Sequence, residues 1–235
     1  MTNQLNTEIE QLLKRQGAAL VGFADLSDLP PDIRDGYRYG ISIAVELNPQ
    51  IVKIIGNGPS KEYYNEYKSK NNFLNQLAEN CAGLLKTKGF NALAKTQSVV
   101  VQDEKTKRTK LPHKTVATKA GLGWIGKCAL LITEEYGPAI RITSVLTDAD
   151  LDVGTPIVAS KCGDCEECKK ICPAGAVTGK QWESGMNRED FYHALDCRDK
   201  ITERGMGLGF TEGTCGLCFW VCPWTQKHLK KSMKN

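Results

Sequence analysis

Eight of the ten cysteines fall in the last third of the chain, and their spacing limits what that part can become. The first run reads Cys162-x2-Cys165-x2-Cys168-x3-Cys172-Pro173. The second reads Cys215-x2-Cys218-x3-Cys222-Pro223, with Cys197 alone upstream. The stretch from Cys162 to Pro223 has too few large aliphatic residues to build an ordinary apolar core. Metal–ligand bonds would supply much of its folding energy, as in other small metal-stapled domains. A 4Fe–4S cube needs four thiolates, and short Cys-x2-Cys loops wrap its corners one after another.

In two-cluster ferredoxins the cysteine that precedes proline ligates the other cube. That exchange assigns one cube to Cys162, Cys165, Cys168 and Cys222. It assigns the second to Cys172, Cys215, Cys218 and one further thiolate. A regular second motif would place that thiolate at position 212, which is Glu212, so the spare Cys197 takes its place. Zinc is the simplest rival, because two facing Cys-x2-Cys pairs bind it tetrahedrally. A run of four cysteines closed by proline and then repeated in shortened form is unusual for a zinc ribbon. Disulfides are the other rival. The start, MTNQLNTEIEQLLKRQG, lacks the apolar centre of a signal peptide and reads as an amphipathic helix. A cytoplasmic setting that keeps thiols reduced is therefore expected. Cys81 falls on an apolar helix face and Cys128 on an expected strand, and both read as small buried hydrophobes.

The formal charge of +4 would point to an anionic partner. That count treats the cysteines as neutral. A 2+ cube on four thiolates carries about −2, so two cubes bring the chain close to neutrality. The basic stretch 227–234 reads as a solvated C-terminal end. No apolar run approaches the ~20 residues of a membrane helix, so no membrane partner is expected.

Residues 1–155 read as an α/β domain and residues 156–235 as the metal-stapled one. Leu5, Ile9, Leu12 and Leu13 repeat at helical spacing before Gly17. Strand-length apolar stretches occupy 18–24 and 41–47. Ser60 can cap a helix whose apolar face carries Phe73, Leu74, Leu77, Cys81, Leu84 and Leu85, with an end near Gly89. Further strands are expected at 98–102, 129–133 and 139–147, with a charged turn at 103–110. Helical stretches are expected around 174–177 and 188–201.

The segment Ala120-Gly121-Leu122-Gly123-Trp124-Ile125-Gly126-Lys127 fits neither the dinucleotide fingerprint nor the Walker spacing. Its three glycines allow a bulky ligand or another chain segment to approach the backbone closely. Pro112-His113-Lys114 precedes it. Trp220 and Trp224 flank Cys222 and read as shields that keep water from a cluster. His193 and His228 show no partner pattern.

Taken together, AGLGWIGK (120–127), YGP (136–138), LTDADL (146–151), CGDCEECKKICPAGAV (162–177), the lone Cys197 and CGLCFWVCPW (215–224) resemble epoxyqueuosine reductase and its shorter relatives. The resemblance runs from about residue 95 to 224 and is weaker before that. It implies a nitroreductase-like α/β domain of the cobalamin-binding type, followed by a two-cluster ferredoxin-like domain, a plan shared with corrinoid reductive dehalogenases. It implies the same two sets of cysteine ligands and a cobalamin near Gly121, Gly123, Trp124, Gly126 and Lys127. Electrons would pass from a donor such as a ferredoxin or flavodoxin, through two 4Fe–4S clusters, to cobalt.

Two features differ from the tRNA-modifying members. Those enzymes continue into a helical-repeat region that grips tRNA, whereas this chain stops about a dozen residues after Cys222. They also carry an acidic proton donor in a Val-Asp-x-x-Pro-like stretch. Here that stretch reads VVVQDEKTKRTKLPHKTVATK, and neither Asp103 nor Glu104 has the expected Pro and Glu after it. His113 and Lys114 lie nearer the expected place and are the candidate catalytic groups. The expectation is an iron–sulfur oxidoreductase with a corrinoid and a small-molecule or corrinoid substrate. An electron-transfer protein without its own substrate, and a tRNA-modifying enzyme, are the alternatives.

Overall fold

The computed structural model describes residues 4–206, 208–210 and 214–232. Position 212 and the end of the basic stretch, Met233 and Lys234, lie outside them. The elements in chain order are α1 (Gln4–Arg15), β1 (Leu20–Asp25), β2 (Tyr39–Glu46), α2 (Pro49–Ile54), α3 (Lys61–Thr87), β3 (Ala92–Ala94), α4 (His113–Lys119), β4 (Trp124–Ile125), β5 (Leu131–Ile132) and β6 (Ile140–Thr147). They continue with α5 (Glu167–Ile171), α6 (Ala194–Met206), α7 (Leu217–Trp220) and α8 (Pro223–Ser232).

The chain divides into two compact units, each assembled from three stretches. The first takes Met1–Glu46, Lys70–Gly123 and Arg141–Ile157. The second takes Leu47–Ser69, Trp124–Ile140 and Val158–Asn235. A single cut near residue 155 therefore does not describe the division, although the last crossing does fall after Ile157. The reason is visible in the second unit's apolar cluster. Leu47, Val52, Ile55, Tyr63 and Ala139 pack there with Phe219 and Leu229. The two earlier stretches lend the cysteine-rich segment the aliphatic residues that it lacks.

The first unit is built on a four-stranded sheet in the order β1-β2-β6-β3. β1 and β2 run antiparallel, with Leu20 opposite Ala44 and Asp25 opposite Tyr39. β2 is buried along nearly its whole length, so both of its faces must be covered. Alternation does this: Ile41, Ile43 and Val45 join Ile9 and Leu13 of α1 and Leu77 and Leu85 of α3 in one core. The side chains of Ala24, Leu26 and Leu146 pack instead with Val116 and Ala120 of α4 and its end. Each fully buried Leu or Ile contributes roughly 1.5–3 kcal/mol by leaving water.

The helix starting after Ser60 forms as its sequence suggests, and the Tyr63 N–H donates to Ser60 Oγ at 3.2 Å. The strand expected at 98–102 is absent. Only a bridge between Gln102 and Thr109 closes the charged turn, and Val101 is left exposed. The strand at the edge beyond β6 is β3, paired antiparallel to it. No helix forms at 174–177, where Pro173 and the left-handed Gly175 (φ +59°) interrupt the backbone. Among the described residues, no helix is long and apolar enough to cross a membrane.

Candidate metal centre

In the second unit the seven cysteines of the two runs, together with Cys197, line two cavities. The larger, about 170 Å³, is bordered by Cys172, Cys197, Cys215 and Cys218. The smaller, about 40 Å³, is bordered by Cys162, Cys165, Cys168 and Cys222, and Cys218 reaches its wall as well. Loops and short helices present these thiols: Cys168 on α5, Cys197 on α6, Cys218 on α7, and Cys222 directly before α8. Proline at the first position of α8 gives up a donor that the helix would leave unused anyway. The next two backbone N–H groups, of Trp224 and Thr225, donate to the Cys222 sulfur.

Electrostatics follow from this crowding. Burial pushes the Cys222 thiol up to about 11; the two N–H donors oppose that, and Cys162 and Cys165 add to it. Burial also raises Cys197, against a hydrogen bond from the Tyr192 hydroxyl, with Cys172 and Cys215 raising it further. Cys168 is raised by its hydrogen bond with Cys128 and then by burial. Thiols this close resist ionising together. A cationic metal centre is the partner that would hold them as thiolates. The Thr214 hydroxyl, buried at the wall of the larger cavity, has no hydrogen-bond partner in the protein. Among the described residues, no three His, Cys, Asp or Glu side chains are grouped as ligands of one ion. Two four-thiol cavities suit a cube, which takes its ligands at separate corners.

The glycine segment turns out to face largely onto protein. Gly121 has φ +74°, and a Cβ there would lie 2.7 Å from the Thr155 carbonyl oxygen. Gly123 and Trp124 are buried, and the Trp124 ring meets Trp224 edge-on at 5.2 Å. At Gly126 a Cβ would lie 2.3 Å from Ile132 Cδ1 and 3.6 Å from Cys162 Sγ, so only glycine lets β4 pass there. The chain crosses from one unit to the other between Gly123 and Trp124.

Beyond Gly126 a tight turn joins β4 to β5, closed by the Ala129 N–H donating to the Gly126 carbonyl at 2.8 Å. Ala129 adopts φ +59°, which costs a non-glycine residue about 1–2 kcal/mol. The strain serves placement, because the two central residues of the turn are Lys127 and Cys128. Lys127 is buried, and its Nζ donates to the Cys165 carbonyl at 2.9 Å. Cys128 sits in this turn, not on a strand, and it lines both cavities. Sequence reasoning missed the part played by Cys128, Tyr192 and Thr214. The signal available for Cys128 was its place immediately after the glycine segment.

Of the two tryptophans around Cys222, Trp224 lines the smaller cavity. Trp220 packs on Gly56, whose added Cβ would lie 2.4 Å from the indole. His113 opens α4 in the first unit, with Nδ1 2.8 Å from Ser144 Oγ. Its pKa is lowered to about 4 by burial and then by the charges of Arg141 and Lys95. Lys114 is half-buried beside it. His228 stacks at a tilt on Tyr136, and His193 pairs with Asp196 on an exposed surface.

Residues 161–225 match the model of the 4Fe-4S double cluster binding domain. Over 122 residues, 52% of its length, the chain is 35% identical to the epoxyqueuosine reductase of Synechococcus sp. (strain RCC307). Over that span the chain is similar to the epoxyqueuosine reductases. It spans 37% of the length of that curated relative. Two solved structures share its mixed α/β fold with the appended cluster domain. One is an epoxyqueuosine reductase with an epoxyqueuosine-modified tRNA-Tyr stem loop, matched over 95% of this chain and 66% of that one, with a TM-score of 0.63 and 19% identity. The other is a reductive dehalogenase whose structure suggests a mechanism for B12-dependent dehalogenation, matched over 96% and 33%, with a TM-score of 0.71 and 16% identity.

Proposed function

We propose that the chain is an iron–sulfur oxidoreductase. It would accept electrons singly from a carrier such as a ferredoxin or flavodoxin, store them on two 4Fe–4S clusters and release them for a reduction. One observation carries this reading: the two cysteine runs exchange a member. Cys222 shares a cavity with Cys162, Cys165 and Cys168, while Cys172 shares one with Cys197, Cys215 and Cys218. These two sets of four are the proposed ligands. The unpartnered Thr214 hydroxyl and the Tyr192 hydroxyl beside Cys197 are donors suited to a sulfur-rich group. Trp224 adds an apolar wall. When bound, such clusters supply one-electron chemistry at potentials set by hydrogen bonds to sulfur and by exclusion of water. A site of reduced thiols suits the cytoplasm, which is the proposed location.

The acceptor we propose is a corrinoid, supported by the fold shared with the B12-dependent dehalogenase. Around the residues expected to hold it, a Cβ at Gly121 or Gly126 would meet Thr155 or Ile132, and Lys127 Nζ is bonded to the Cys165 carbonyl. The relatives' name supports a tRNA-borne epoxide as the substrate class, in place of the small molecule expected from sequence. Reducing an epoxide to an alkene and water consumes two electrons and two protons, and two one-electron clusters can hold that pair.

Anaerobic reconstitution tests the reading in three steps. Iron and sulfide analysis should give two cubes per chain, and a single cube would sink the ligand assignment. Cobalamin titration should show uptake at micromolar concentrations, and its absence removes the corrinoid. An epoxyqueuosine-modified stem loop should be reduced by the loaded, pre-reduced protein. An unchanged mass spectrum removes that substrate.

A further inference from the structure

We propose that Cys128, which belongs to neither ligand set, is a positioning residue between the two clusters. It would share one thiol hydrogen between a ligand of each. The inference rests on the two-cluster reading above. Cys128 is 3% exposed and lines both cavities. Its thiol donates to Cys218 of one ligand set and accepts from Cys168 of the other, and as a cluster thiolate Cys168 would have no hydrogen of its own and would become a second acceptor. Its own sulfur receives the Leu130 backbone N–H. The turn that carries it is held on both sides: Lys127 is tied to the Cys165 carbonyl, and the Ala129 N–H closes onto Gly126. A thiol placed this way has little freedom to turn elsewhere.

A thiol offers one weak donor hydrogen. Hydrogen bonds to cluster sulfurs stabilise the reduced, more negative state and so raise the potential. With two acceptors and one hydrogen, Cys128 serves one ligand at a time. Extra negative charge on the ligand set of Cys168 would make that thiolate the better acceptor, and the Cys128 hydrogen would turn to it from Cys218. The two potentials are thereby linked, so that an electron on one cube makes the other harder to reduce.

The test uses the full chain, reconstituted anaerobically, as wild type, C128A and C128S. Iron and sulfide counts and a redox titration followed by electron paramagnetic resonance are the readouts. All three proteins should hold two cubes. In C128A both potentials should fall, and in C128S the hydroxyl donor should restore part of that fall. Unchanged potentials in C128A overturn the proposal, and so does a shift confined to one cluster. Loss of a cube's iron in C128A also overturns it, by making Cys128 a ligand. A wild type without two cubes refutes the cluster reading itself, which separates the two failures.

Discussion

At neutral pH the ring of His113 should carry no charge. Its pKa falls from 6.5 to about 4, because the ring is buried and because Arg141 and Lys95 oppose another positive charge. The drop of about 2.5 units favours the neutral ring by roughly 3 kcal/mol. At pH 7 this leaves about one ring in a thousand protonated, against roughly a quarter of ordinary histidines. His113 can exchange a hydrogen bond with Ser144 but is no standing store of a proton. With only three histidines in the chain, ring-labelled protein gives a readable nuclear magnetic resonance titration, and His113→Gln assigns the signal. That signal should stay flat from pH 7.5 to pH 5. A midpoint near 6.5 would refute the reasoning. Stability follows the same sign. Above pH 6.5 both folded and unfolded forms are neutral and nothing is contributed. As pH falls through 6.5 the unfolded chain takes up a proton that the folded chain refuses, so stability is lost, levelling off below pH about 4. In His113→Gln this loss should vanish from the hydrogen-exchange protection of β2 and β6.

Gly126→Ala places a Cβ 2.3 Å from Ile132 Cδ1 and should cost about 1–3 kcal/mol. Because Cys162 Sγ is next in line, a chelator should strip iron from this variant faster than from wild type. Ala129→Gly relieves the left-handed backbone at φ +59° and should raise stability by about 1 kcal/mol, read as a higher melting temperature of the loaded protein. Cys197→Ala removes one proposed ligand, and iron and sulfide content should fall by about half, while full retention would reassign the fourth ligand.

The elements with a local cause were legible in the sequence. α1, β1, β2, α3 and β6 are long enough for apolar periodicity to show, and Ser60 marks the start of α3. The cysteine spacing named the two groups of four thiols that border the two cavities. The misreadings have physical causes too. The apolar run at 98–102 looks like a strand, yet the sheet pairs the short β3 instead, which composition cannot foresee. The second unit recruits Leu47–Ser69 and Trp124–Ile140, whose periodicity matches that of the first unit's own elements. Cys128 read as a buried hydrophobe because burial alone is a correct description of it. What distinguishes it is the turn conformation, which depends on a strained alanine that no propensity favours.

The β4–β5 turn shows why that strain persists. Ala129 is held left-handed although glycine would fit more cheaply, and Gly126 is fixed by Ile132. Between them stand a lysine bonded to the Cys165 carbonyl and a cysteine in contact with Cys168 and Cys218. Backbone strain of about 1–2 kcal/mol survives where surrounding contacts over-determine it, and such places cluster at functional sites. Cys218 and Cys222 of the second run, with Trp224 just after it, wall the first run's cavity, and the turn adds Lys127 and Cys128 from outside the cysteine motifs. The glycine segment that resembles a ligand loop thus acts on the metal centre's own scaffold: its glycines let the hairpin come close, and its last residues reach the thiols.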